Sequence, residues 1–391
     1  MEKIFMQGMT EKLYESDSYL KEFDACVLSC EPRGDRWRIV LDRTAFFPEG
    51  GGQPCDIGRL GSAMVVDVQI EDDRICHICT GEIAPGTEVH GEIDWKRRFD
   101  LMQQHSGEHI VSGLLHARYG CDNVGFHLGA ELIEIDFDHQ IPREDIPTIE
   151  AEVNRAIWED IPVALRYPTP EQLADIPYRS KKALEGQVRI VEIPGVDTCA
   201  CCGTHVQRTG EIGLVKIVSS MKLREGSRLE ILCGERAFLY LSRIFDQNKA
   251  ISGLLSAKPM ETAGAVENLK QENADLKYRI TGMENSEFSR IAEDLRDKGD
   301  VLVFRESMTS DNLRRLANEI RMTCGGRCAV FSGTDEAGYQ YALAEKDGDV
   351  RELAEFLNQV LHGKGGGKPG FIQGSLKATR SEIHGFFQLM A

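Results

Sequence analysis

"DTCACCGTHVQRTGEIG", residues 197–213, places Cys199, Cys201, Cys202 and His205 within nine residues. Cys201 and His205 stand four apart, and Gly203 between them permits a tight turn. Elsewhere "HSGEH" carries His105 and His109, also four apart, a spacing that sets both rings on one face of a helix. Either stretch alone is a weak signal. Together they offer one sulfur and three nitrogens, a donor set suited to tetrahedral Zn2+. His105, His109, Cys201 and His205 are therefore read as one metal site, with Cys199 and Cys202 as rival thiolates. A helix and a distant turn must then converge, which calls for a mixed α+β core.

The surrounding chain fits that demand. From 94 to 120, "DWKRRFDLMQQHSGEHIVSGLLHARYG" has apolar residues at helical spacing and Gly120 to end it. "GFHLGAELIEIDFD" alternates as a strand, "REDIPTIEAEVNRAIWED" reads as a helix with Pro147 in its first turn, and "VRIVEI" and "IGLVKIVSSMKL" are strands flanking the cysteine turn. Residues 92–240 are thus expected to form an α+β domain. Residues 1–91 hold short apolar or alternating runs between Gly, Asp and Pro clusters, the pattern of a small β-barrel. Within them "FFPEGGGQPCDIGRLG", 46–61, is richer in glycine than a plain turn requires.

Beyond 240 the pattern changes twice. Residues 241–300 look helical, with Val266, Leu269, Asn273, Leu276, Ile280 and Met283 in steps of three and four. A homodimer zipper, with Asn273 fixing the register, and a packed intramolecular helix both fit. Pro259 and Gly264 are expected to interrupt its start. Residues 301–391 alternate strand and helix as a small α/β-type domain. "CHIC" at 76–79 and "CGGRC" at 324–328 lack partner pairs and are read as plain thiols.

Bulk composition narrows the functions. A formal net charge of −17 argues against a broad basic nucleic-acid surface. The last 31 residues run the other way, with Lys364, Lys368, Lys377 and Arg380 against Glu382 alone. The charged N-terminal stretch has no apolar core of a signal peptide, and no uncharged run approaches the roughly 18–20 residues that cross a bilayer. Twelve cysteines in such a chain read as reduced thiols or metal ligands, and the expected location is cytoplasmic. Written as H-x-x-E-H, "HSGEH" also matches an inverzincin peptidase with Glu108 as base, needing an acidic third ligand such as Glu185 or Glu192. That reading leaves the Cys201/His205 turn, the glycine loop and the basic tail idle. Helix geometry turns Glu108 about one hundred degrees from His109, so it is expected on a solvated face.

"LDRTAFFPEGGGQPCDIG", "QQHSGEHIVSGLL", "GFHLG" and "CACCGTHVQRTGEIG" resemble the freestanding alanyl-tRNA editing proteins (AlaX, long form) and the editing half of alanyl-tRNA synthetase. "GKGGGKPGFIQGS", 363–375, resembles the glycine-rich signature of the DHHA1 domain. The likeness runs from about residue 20 to the end. It implies an N-terminal barrel, a zinc-binding editing core, a helical linker and a DHHA1-like tRNA-binding domain. It puts the metal ligands on the same His105, His109, Cys201 and His205, and editing-pocket residues on Thr44 and Gln53, with Gly51 and Gly52 in the loop beside them. Lys364, Gly365, Gly366, Gly367 and Lys368 would form a loop gripping RNA. The implied activity is hydrolysis of tRNA(Ala) wrongly carrying serine, with glycine as a second candidate. Cys202 departs from the C-G-G-T-H usual in the synthetase. Charging of tRNA is not expected, and "FDHQ" at 137–140 does not supply a DHH phosphoesterase motif. A non-catalytic, zinc-stabilised tRNA-binding module is the remaining alternative.

Overall fold

The structure, a computed structural model, describes residues 10–180 and 187–389. The chain divides into two compact units, Met1–Lys249 and Ala250–Ala391.

In the first unit, after a two-residue strand at Glu11–Lys12 and a short helix at Leu13–Ser16, six strands form a ring: β1 Glu22–Arg33, β2 Arg36–Leu41, β3 Gly58–Leu60, β4 Ala63–Glu71, β5 Arg74–Cys79 and β6 Glu88–Ile93. They pair in the order β1-β2-β5-β4-β3-β6, and β6 pairs back onto β1, so the hydrogen-bonded ring is closed. Alternation along the strands sends Val27, Ile39, Leu41, Leu60, Val65, Val68 and Ile75 into a common core, all nearly inaccessible to solvent.

Helix α1, Trp95–Tyr119, follows directly. The Asp94 carboxylate accepts from Arg97 N–H at its start, and Gly120, at φ +65°, ends it in the left-handed conformation. The helix packs beside a four-stranded antiparallel sheet. Its strands are β7 Asn123–Leu128, β8 Ile133–Phe137 and, further along the chain, the pair 215–223 and 226–233. Between these lie α2, Ile146–Trp158, with Pro147 in its first turn, and a three-stranded sheet of β9 Ala164–Arg166, β10 Ile190–Ile193 and β11 Asp197–Ala200. The pair just mentioned is β12, Val215–Leu223, and β13, Gly226–Cys233. Leu101, Met102, Ile110, Val111 and Leu115 of α1 join Ile149 and Val153 of α2 and Ile133, Ile135, Leu229 and Ile231 of the sheet in one core.

One buried ion pair joins ring to helix. Arg98 on α1 and Asp56 after the glycine turn are both fully buried. Arg98 Nε donates to both Asp56 oxygens at 3.0 Å, Nη1 donates to Ser18 O at 2.8 Å, and Nη2 donates to Ala45 O at 2.6 Å. Asp56 also accepts from Phe47 N–H at 2.6 Å. The guanidinium is thus hydrogen-bonded to three separate segments.

Helix α3, Gly234–Leu255, spans the boundary between the units. The second unit holds α4, Thr262–Asp294, then β14 Gly299–Arg305, α5 Ser310–Arg321, β15 Gly325–Thr334, β16 Gly338–Ala344, α6 Arg351–Val360, β17 Lys364–Lys368, β18 Phe371–Leu376 and α7 Arg380–Leu389. Its sheet runs β14-β15-β16-β18-β17, with β14 and β15 parallel and the other pairs antiparallel. The helical break falls before Thr262, around Pro259, while Gly264 lies inside α4. Val266, Leu269, Leu276, Ile280 and Met283 are exposed along α4.

The glycine-rich tail is not the loop that the resemblance implied. Lys364–Lys368 is a fully exposed edge strand paired with β18. Glycine suits it because a Cβ on Gly365 would lie 2.4 Å from the Tyr341 hydroxyl. Among the described residues no helix is long and apolar enough to cross a membrane.

Arg98→Met strands a buried carboxylate and is expected to cost about 3–5 kcal/mol in urea unfolding. The Arg98→Met, Asp56→Leu double variant should lose less than Arg98→Met alone, since no charge is left unpaired.

Candidate metal centre

The middle of α1 is buried on every side, from Gln104 to Gly113. His105 and His109 therefore point inward, and the turn after β11 meets them. The ligand-type atoms of His105, His109, Cys201 and His205 all lie within 4.8 Å of one another. Cys201 Sγ is 3.4 Å from Nε2 of His105 and 3.4 Å from Nε2 of His205. A tetrahedron with ordinary zinc–nitrogen and zinc–sulfur bond lengths has edges of roughly 3.3–3.7 Å. The donor set and its spacing fit a zinc ion.

The far side of each ring is held as well. His105 Nδ1–H donates to Gln53 Oε1 at 2.8 Å, and His109 Nδ1–H donates to Asp197 Oδ2 at 2.8 Å. His205 Nδ1 lies 3.2 Å from Ser106 Oγ, which itself accepts from Val206 N–H. Anchoring Nδ1 fixes ring orientation and leaves Nε2 for an ion, the arrangement that outer partners give metal-bound histidines. Asp197 is in turn gripped by Arg179, whose Nε and Nη2 donate at 2.8 and 2.9 Å.

The electrostatics favour a cation here. Burial pushes the Cys201 thiol up, but His105 and the hydrogen bonds from His105 and His109 outweigh it, and the thiol sits well below its ordinary range. Gly203 N–H also donates to the sulfur at 3.4 Å. Burial drives His205 down to about 3, so its ring is neutral at pH 7. Burial opposes charge on His109 too, yet the Asp197 carboxylate raises it well above the usual value. Asp197 resists its own burial because His109 and Arg179 hold it ionised.

Of the rival thiols, Cys202 is exposed and outside the cluster. Buried Cys199 belongs to a second, overlapping group with His109 and Asp197. Cys76, Cys79, Cys324 and Cys328 are buried free thiols. Glu108 overturns an expectation. It is fully buried rather than solvated, because α1 has no solvent face at that level, and its Oε1 accepts from Ser112 Oγ at 2.6 Å and Asn123 Nδ2 at 2.5 Å. Glu192 pairs with Arg166 at 2.6 Å and is no part of the cluster. Glu185 lies outside the described residues.

Gln53 is buried against His105 and Thr204, while Gly51 and Gly52 are exposed at φ +62° and +84°. Thr44 is buried with its hydroxyl 2.8 Å from His77 Nε2. His77 Nδ1 faces Ile39 O at 3.1 Å and must carry the proton, since a carbonyl only accepts. Burial lowers His77 to about 4, so Nε2 is bare at pH 7 and Thr44 O–H donates to it. Thr44 Oγ1 also accepts from Phe46 N–H at 3.1 Å. One lone pair is left. Lys364 to Lys368 lie in the second unit, exposed on its sheet edge.

Asp197, Arg179, Ser106, Thr204 and His77 escaped the sequence reading. Asp197 opens the stretch quoted first, and a carboxylate so near a ligand turn was its available signal. Ser106 and Thr204 lie inside the two histidine-bearing stretches and His77 inside CHIC, each beside a residue already singled out, whereas Arg179 comes from a segment without a motif.

Three stretches match known families. Residues 19–97 match tRNA synthetases class II (A), residues 188–229 match the threonyl and alanyl tRNA synthetase second additional domain, and residues 284–389 match the DHHA1 domain. Two of the three are thus segments named for tRNA synthetases. It is 31% identical to alanyl-tRNA editing protein Aarsd1-B of Xenopus laevis, over 96% of each chain. It is 29% identical to alanyl-tRNA editing protein AlaX-L of Pyrococcus horikoshii, over 96% of each, and 35% identical to an alanine–tRNA ligase of Ignicoccus hospitalis, over 69% of this chain and 31% of that one. The chain belongs to the alanyl-tRNA editing proteins.

A Cβ on Gly203 would lie 2.2 Å from His105 Cε1 and 2.9 Å from Gln53 Oε1. Gly203→Ala is therefore expected to weaken zinc retention at least tenfold, about 1.4 kcal/mol, and Cys202→Ser to leave it intact. Metal analysis of the purified variants reads both.

Proposed function

We propose that this chain is a hydrolase that releases serine from wrongly charged tRNA(Ala), with glycine a second candidate. The carrying observation is the convergence of His105, His109, Cys201 and His205, tied to the glycine turn through Gln53, in a member of the alanyl-tRNA editing family. Zn2+ bound by those four donors would supply positive charge for the ester carbonyl or the amino group of the substrate.

The chain's own residues do the rest. A pocket shaped for alanine rejects an added hydroxyl poorly, so a second, hydrolytic site must recognise that hydroxyl. Thr44 suits this task. Its proton is committed to His77 and its remaining lone pair accepts, so the matching ligand group is a donor such as the seryl O–H. Alanine offers no donor there and would leave that lone pair buried and unpaired. The exposed backbone at Gly51 and Gly52 would approach the terminal nucleotide or the ester oxygen, without side chains in the way.

In the second unit, exposed Lys364 and Lys368 flank Gly365, Gly366 and Gly367 on a sheet edge. Ammonium groups and edge N–H groups would hold the RNA backbone and respond to its shape. The exposed stripe Val266, Leu269, Leu276, Ile280 and Met283 supports a second copy as the partner of residues 241–300.

A peptidase reading is less supported, since Glu108 is engaged by Ser112 and Asn123 and Glu192 by Arg166. The discriminating assay is serine release from Ser-tRNA(Ala), with Ala-tRNA(Ala) spared by up to about 10⁴-fold. His105→Ala with His109→Ala should lose metal and turnover together; turnover kept without metal rejects the zinc-dependent version. No release above background, with tRNA still retained, leaves the non-catalytic binding module. Lys364→Glu with Lys368→Glu is expected to weaken tRNA binding and flatten its salt slope by up to roughly 2, read by a salt titration.

A further inference from the structure

The turn Gly50–Gln53 closes on itself. Gly50 N–H donates to Gln53 O at 3.1 Å and Gln53 N–H donates to Gly50 O at 3.0 Å. Its tip is exposed, but the Gln53 side chain is fully buried. Gln53 Oε1 accepts from His105 Nδ1–H at 2.8 Å and from Thr204 N–H at 3.1 Å, while Nε2 donates to Thr204 Oγ1 at 2.8 Å. Both lone pairs of the amide oxygen are therefore used. A second route joins the same partners. Gly52 lies so close to Phe126 that a Cβ would come within 2.4 Å of its ring, and that ring stacks on His105 at 5.3 Å and 27°. The glycine turn thus meets His105 twice, once by hydrogen bond and once through an aromatic face.

We propose that Gln53 is a positioning residue that makes the order of the glycine turn depend on the metal at His105. An ion on Nε2 fixes the imidazole and keeps the hydrogen on Nδ1, aimed at the amide oxygen. The same amide holds Thr204, next to ligand His205, so one side chain reads both halves of the ligand set. Without the ion, the ring loses its firmest constraint, and the turn loses the fixed donor that holds Gln53. Linkage requires the reverse as well: an ordered turn tightens metal binding by the factor that metal adds to the order of the turn. The glycine backbone that faces substrate is then correctly placed only in the loaded protein. This inference rests on the metal site proposed above and is independent of which amino acid is removed.

The test follows amide hydrogen exchange in the full chain, zinc-loaded and chelator-stripped, together with zinc affinity by chelator competition. Stripping is expected to speed exchange at Gly50, Gln53 and Thr204 about tenfold or more, with the β2 and β5 amides unchanged. Zinc-loaded Gln53→Ala should exchange at the turn like stripped wild type and bind zinc about 10–100-fold more weakly. Gln53→Glu keeps an oxygen for His105 and Thr204 and should restore both readouts most of the way. Equal exchange in loaded and stripped wild type overturns the proposal, as does Gln53→Ala with wild-type zinc affinity or Gln53→Glu as impaired as Gln53→Ala. The wild-type comparison needs no variant and stands if Gln53→Ala does not fold. Failure to release serine with the exchange pattern intact would strike the proposed reaction and leave this coupling standing.

Discussion

A thiol and three imidazoles crowded within 4.8 Å, the histidines buried and Cys201 partly so, set the constraint that the first unit is organised around. Such groups are costly to bury unless each polar edge has a partner. The partners come from separate places: Gln53 from the glycine turn, Asp197 from the edge of β11, and Ser106 from α1 itself. A closed strand ring, a long helix and a cysteine turn must therefore assemble together. No one of them carries a complete site.

Two arginines, Arg98 fully buried and Arg179 partly so, balance the charge of that assembly. Arg98 neutralises Asp56 where the ring meets α1, and Arg179 neutralises Asp197 behind His109. Their roles differ. Arg98 spreads its donors over an aspartate and two carbonyls, so it fixes the relation of three chain segments. Arg179 spends a forked pair on one carboxylate already bound to an imidazole, so it keeps that carboxylate ionised and its ring aimed. Strength of packing and precision of the site thus rest on separate ion pairs, which lets one be altered without the other.

The clustering of His105, His109, Cys201 and His205 was legible in sequence because histidines or a Cys/His pair four apart make a local, periodic statement about direction. What stayed hidden was non-local. Gln53 and Thr204 are 151 residues apart, and nothing in either neighbourhood announces the other. Glu108 was misjudged because the angular argument assumes a helix with a wet face, and α1 has none at that level. The GKGGGK segment was expected as a loop from its likeness to a glycine-rich signature, which reports backbone freedom and not how that freedom is used. Its use in a strand depends on the Tyr341 hydroxyl, which only the register of the sheet brings beneath Gly365.

The matched family segments make the same point from another direction. One stretch, 19–97, contains Gln53, and another, 188–229, contains Cys201 and His205, whereas His105 and His109 fall between them. Each stretch carries part of the ligand set or its support, and α1 supplies the two rings that make the parts commensurate. His105 is the joint: its Nε2 faces Cys201 and its Nδ1 faces Gln53. An imidazole presents two nitrogens on opposite edges of one rigid ring, so whatever fixes one edge fixes the other. A thiolate turn and a glycine turn far apart in the chain are coupled for that reason, through a single side chain on the helix between them.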